Sequence, residues 1–203
     1  MALYSSVHNY LRTLSFETIS EERKLVLQLL QNYIREQQSE GLPINLNFIC
    51  THNSRRSHLC QVWAQTIASY CNVNNVYSYS GGTEATAVYP MVLQTLQEVG
   101  FTYTSLQVAS NSIYAIKYGD SLPPIIAFSK KYAHNFNPAY NFAAILTCSQ
   151  ADEGCPIVKG ASKRIPITFE DPKAFDETTL QIEKYEERSR QIATELLFVF
   201  SSI

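Results

Sequence analysis

The chain reads as an α/β fold, with three layers built around a central, mostly parallel sheet of about four strands. Short apolar runs alternate with longer segments whose apolar residues recur at helical spacing, which is the pattern of strand–helix–strand units. A length of 203 residues, with 45% hydrophobic and 17% charged content, is enough to bury one sizeable core.

The first element is a helix over Ser20 to Gln38. Leu25, Leu29, Leu30, Tyr33 and Ile34 fall at helical spacing, Glu21 and Glu22 sit in the first turn, and Gly41 follows the end. It defines an N-terminal helical extension, residues 1–43, ahead of a main domain over 44–203. Ile44, Leu46, Phe48 and Cys50 then alternate with Asn45 and Asn47, so a buried strand ends on Cys50. A helix follows over Ser57 to Cys71, with Leu59, Val62, Trp63, Thr66, Ile67 and Tyr70 on one stripe. Val76 to Ser80 is a second strand, closed by Gly81 and Gly82. Pro90 opens a helix that Gly100 stops. Two more strands are expected at Ala143 to Cys148 and Ile165 to Phe169, and a long terminal helix over Glu177 to Phe200. Ser110 to Asn141 departs from the alternation, because apolar runs there flank a Gly-Asp-Ser turn and two prolines; it reads as an inserted hairpin.

A net charge of −2 with scattered basic residues leaves no footprint for DNA or RNA and no polybasic patch for a membrane. No run approaches the roughly 18 apolar residues that span a bilayer, and the opening MALYSSVHNYLRTL lacks a leader's basic-then-apolar order, so a cytoplasmic protein is expected. Five cysteines, an odd number, do not suit a secreted disulfide framework and point to reactive thiols. His52, His58, Cys60 and Cys71 lack the paired Cys-x2-Cys spacing of a zinc site, and neither a metal nor a cofactor is expected.

The chemistry is concentrated in Cys50-Thr-His-Asn-Ser-Arg-Arg-Ser57, which joins the first strand directly to a helix. In that position the backbone N–H groups from Thr51, His52, Asn53, Ser54, Arg55 and Arg56 converge with the helix N-terminus on one point, a site for a tetrahedral oxyanion. The same field favours Cys50 as a thiolate. Arg56 is suited to fork onto two oxygens while the sulfur attacks the central atom, and Ser57 to donate to the thiolate. Two further elements are weaker alone. Cys148 and Cys155 bracket a turn-rich segment across which two thiols can close on each other, although one buried and one exposed thiol is the more ordinary reading of these residues alone. Asp171, fixed by Pro172, is a candidate general acid in what is also an ordinary turn pair.

Taken in order, FICTHNSRRS, YSGGTEA, LTCSQADEGCP and FEDP resemble the low-molecular-weight tyrosine phosphatase superfamily, and within it the thioredoxin-coupled arsenate reductases. The resemblance spans roughly 44–200, interrupted at 110–141. It implies that Cys50 attacks arsenate, that Cys148 attacks the resulting adduct to release arsenite, and that Cys155 then pairs with Cys148 and presents the disulfide to thioredoxin. It further implies that Asp171 protonates the leaving oxygen and that Asn53 holds the loop. The chain departs from the pattern at His52, where Gly is frequent, and at Arg55, where Cys is frequent. Gln61 stands where some members carry an acidic potassium ligand, and Lys173 where the phosphatases place an aromatic residue. A phosphomonoesterase acting through a phosphocysteine is the alternative activity, and a non-catalytic anion-binding module the third.

Overall fold

The computed structural model describes residues 2–154 and 157–203. Its centre is a four-stranded parallel sheet in the order β2-β1-β6-β7, formed by β1 (Ile44–Cys50), β2 (Val76–Gly82), β6 (Phe142–Leu146) and β7 (Ala161–Pro166). Parallel strands covered on both faces carry near-continuous apolar runs. Accordingly, all five residues of β6 and six of the seven in β1 are buried. Cys50 therefore lies at the carboxyl end of a central strand, where open α/β sheets form their ligand crevice.

The helices are α1 (Ser5–Arg12), α2 (Glu21–Ser39), α3 (Arg56–Tyr70), α4 (Pro90–Val99), α5 (Ser149–Gly154) and α6 (Gln181–Phe200). The Ser20 hydroxyl caps α2 by accepting from Arg23 N–H at 3.2 Å. Pro90 opens α4, and Gly100, at φ +111°, ends it in the left-handed conformation. Val7 and Leu11 of α1 and Leu27, Leu30 and Ile34 of α2 share one hydrophobic cluster with Leu46, Trp63 and Ile192. The first forty residues thus help build the core around the sheet.

Three expectations are corrected. The last strand runs over Ala161–Pro166 rather than Ile165 to Phe169; beyond it, Ile167 and Phe169 still donate to Leu146 O and Thr147 O at 3.0 and 3.1 Å. The terminal helix starts at Gln181 rather than Glu177, because Glu177 sits at φ +61°, outside the helical region. The second sheet is antiparallel, as an inserted hairpin requires, but has three strands and starts before residue 110. It comprises β3 (Thr102–Gln107), β4 (Ile113–Lys117) and β5 (Ile125–Ala127). Every residue of β3 is exposed, so no burial pattern marks it in the sequence.

Candidate active site

The loop from Cys50 to Ser57 leaves β1 and enters α3 through a sharp reversal at Asn53, which has φ +45° and is fully buried. Asn tolerates this left-handed conformation better than most residues, and its side chain stabilises the reversal from both ends. Asn53 Oδ1 accepts from Lys130 N–H at 2.8 Å, and Asn53 Nδ2 donates to Ser57 Oγ at 2.8 Å. Ser57 Oγ, already accepting that bond, lies 3.1 Å from Cys50 Sγ with its own proton left to donate to the sulfur. Among the described residues, no backbone N–H from His52 to Ser57 donates a hydrogen bond elsewhere in the chain. A curved row of free N–H groups at a helix N-terminus is a cradle for a tetrahedral anion.

A second layer supports the loop from beneath. His58 is fully buried, with Nε2 2.9 Å from Asn53 O and Nδ1 3.2 Å from Ser80 Oγ. A carbonyl can only accept, so Nε2 carries the proton and Nδ1 accepts from Ser80. Lys130 Nζ, also buried, donates to Ser80 Oγ and to Phe128 O, each at 3.3 Å. Burial, followed by the Lys130 charge, pushes the His58 pKa down to about 3, and burial pushes Lys130 down to about 7. Gly82, opposite Cys50 in the register, completes the support. A Cβ there would lie 2.6 Å from Thr51 O and 2.7 Å from Asn53 N, so only glycine lets the two backbones approach.

The arginines divide. Arg56 is 8% exposed; its Nη1 donates to Phe169 O at 2.9 Å, and Nη2 pairs with Asp171 Oδ2. The loop's guanidinium and the Asp171 carboxylate are therefore in direct contact. Arg55 turns away from the loop. Its Nε donates to Tyr185 OH at 2.6 Å, its Nη2 pairs with Asp176, and its guanidinium lies 4.0 Å over the Tyr89 ring. Tyr185 in turn donates to Asp176 Oδ1 at 2.6 Å, and burial raises its pKa. Arg55 thus anchors the loop to α6, and only its backbone N–H belongs to the cradle. The His52 ring points outward, 3.7 Å from Glu84, while His52 O accepts from Thr86 and Ser129. Ser54 O accepts from Tyr89 N–H at 3.1 Å.

Cys148 is 1% exposed and packs in one small cluster with Cys50, Ile49, Leu146, Ala151 and Val158. Its sulfur lies 3.5 Å from Thr51 Oγ1 and 3.4 Å from Ala151 N, at the start of α5. Both Cys50 and Cys148 are free thiols. Cys155 lies outside the described residues. A cleft of about 1020 Å³ opens over Arg56, Cys148 and Asp171. Lys130, Ser80 and Asp176 were not singled out by sequence reasoning. Lys130 joins the loop across 77 positions, and no local motif marks such a partner.

No family model matches the chain. Curated relatives do. The arsenate reductase of Staphylococcus aureus (strain Newman) is 29% identical over 154 residues, covering 70% of this chain and 95% of that one. Arsenate reductase 2 of Staphylococcus epidermidis is 27% identical over 128 residues, covering 62% and 76%. The resemblance to the low-molecular-weight tyrosine phosphatase superfamily thus extends to curated arsenate reductases at 27–29% identity. Solved phosphatases of this superfamily share its fold. That of Vibrio cholerae superimposes with a TM-score of 0.51 at 12% identity, covering 77% of this chain and 93% of its own. That of T. tengcongensis gives 0.51 at 13%, covering 79% and 99%.

Proposed function

We propose that the chain reduces arsenate to arsenite through a relay of three thiols, recycled by thioredoxin. The observation that carries this reading is the pairing of Cys148 with Cys50 in one buried cluster, with the Cys148 sulfur against Thr51 of the loop. Phosphate ester hydrolysis needs no second sulfur there, whereas arsenate reduction does. The named activity of the staphylococcal relatives supports the same reading.

Arsenate enters the N–H cradle and takes Arg56 from Asp171. The Cys50 thiolate, held by the Ser57 hydroxyl, attacks arsenic, and an oxygen leaves as water with a proton supplied through Asp171. The Cys148 thiolate then attacks the Cys50 sulfur. The sulfur–arsenic electron pair stays on arsenic, which departs as arsenite, two electrons reduced, and a Cys50–Cys148 disulfide remains. Cys155 attacks Cys148, releases the Cys50 thiolate and forms a Cys148–Cys155 disulfide that a thioredoxin dithiol reduces. Cys148 is buried, so α5 must open for this exchange; it is a six-residue helix, short enough to unwind at low cost. A cytoplasmic setting, where thiols are kept reduced, suits the cycle. Among the described residues, no helix is long and apolar enough to cross a membrane.

A phosphomonoesterase is the second reading, favoured by a cleft of about 1020 Å³, more room than an inorganic oxyanion needs. Thioredoxin-dependent NADPH consumption with arsenate, run beside hydrolysis of an aryl phosphate, separates the two. Arsenate-dependent consumption supports the relay; aryl phosphate turnover without it supports the esterase.

A further inference from the structure

The segment carrying Asp171 is held from two sides by guanidinium groups on successive carbonyls. Arg56 Nη1 donates to Phe169 O at 2.9 Å, from the loop side. Arg23, from the first turn of α2, donates through Nη2 to Thr168 O at 3.0 Å, from the opposite side. Arg23 is itself fixed. Its Nε and Nη2 reach Glu195 Oε2 at 3.0 and 2.7 Å, and its guanidinium carbon lies 5.0 Å over the Phe169 ring. Glu195, only 3% exposed, also accepts from Gln191 at 3.0 Å, so this anchor has little freedom to move. Ile19, Ser20 and Arg23 wall the same cleft as Arg56, Cys148 and Asp171.

We infer that Arg23 is a positioning residue for the acid: the N-terminal helix α2, through Arg23 on Thr168 O, sets where the Asp171 carboxyl stands over the leaving oxygen. The inference rests on Asp171 acting as the acid in the proposed reduction. When the arriving anion takes Arg56 Nη2 from Asp171, Arg56 keeps only its Nη1 bond to Phe169 O on the segment. Arg23 makes no contact with that anion's cradle and keeps its grip on the segment while Arg56 is engaged. An appended helix becomes in this way part of the catalytic apparatus without touching substrate.

Removing Arg23 alone strands Glu195 as a buried, unpaired carboxylate and confounds the result with unfolding. The test therefore uses R23M/E195L, which replaces the pair by apolar groups, measured as kcat/KM for arsenate with excess reductant, in the parent and in D171N. In the parent, a loss of about 10-fold or more is expected, up to the ~10² that an ångström of misplacement costs. In D171N the same pair of changes should alter the rate by less than about 2-fold, since no acid remains to be positioned. R23K, which keeps one donor for Thr168 O, should recover part of the rate, and the rate of Cys50 alkylation should be the same in R23M/E195L, R23K and the parent. An equal fold-loss in both backgrounds, or none in the parent, overturns the inference while leaving the acid in place. An unaffected D171N removes the acid itself, so the two failures are told apart.

Discussion

Lowering the pH should destabilise the fold through His58 before any surface group matters. His58 is fully buried, its Nε2 proton goes to Asn53 O, and its Nδ1 faces a serine that Lys130 already supplies with a hydrogen bond. A second ring proton would displace the Ser80 hydroxyl proton from Nδ1 and would stand, buried, beside a charged lysine. The folded pKa is about 3 and the ordinary value 6.5, so between these the unfolded chain binds the extra proton and the folded chain does not. Stability is therefore complete above about pH 6.5 and falls as pH decreases toward 3. The slope is about 1.4 kcal/mol per unit, or about 2 kcal/mol lost by pH 5. Urea denaturation at pH 7 and pH 5, in the parent and in His58→Gln, measures it. The parent should lose about 2 kcal/mol more than the variant over this range. Parallel losses would refute the buried, singly protonated imidazole and the loop support derived from it.

Three further outcomes follow from the same geometry. Lys130 has the opposite pH sense: with a folded pKa of about 7 against 10.5, stability should rise from pH 7 toward pH 9 in the parent but not in Lys130→Met, as denaturation at the two pH values would show. Gly82→Ala should cost about 1–3 kcal/mol and most of the activity, because its Cβ meets the loop backbone rather than movable side-chain ends; calorimetry and arsenate turnover check both. Ser57→Ala removes the hydroxyl held at 3.1 Å from Cys50 and should slow arsenate reduction about 10- to 100-fold, the value of a hydrogen bond to a charged group. Unchanged turnover would place the stabilisation of the sulfur elsewhere.

The sequence made the loop legible because its chemistry is local. A buried strand ending on Cys50 and a helix beginning at Arg56 are neighbours in the chain, and the convergence of N–H groups between them follows from their order. Partners that lie far along the chain were not legible. Arg55 sits inside the loop, yet its guanidinium pairs with Asp176 and Tyr185, more than 100 positions away. Lys130 joins the loop through its backbone N–H, and a backbone donor leaves no mark on composition. Glu177, one of the chain's acidic residues, looked like a helix start and instead takes the left-handed conformation. β3 carries no alternation because nothing covers it. Arg23 reads as one more charge on the polar face of α2; only the fold brings Thr168 O to it across 145 positions.

The relay is tested most directly by trapping its intermediate. Cys155→Ser protein, reduced and mixed with one equivalent of arsenate, is alkylated and digested, and the linked peptides are read by mass spectrometry. The account predicts about one arsenite released per chain, a Cys50–Cys148 disulfide, and then no further turnover. Sustained reduction by Cys155→Ser, or arsenite release without a Cys50–Cys148 linkage, would contradict it.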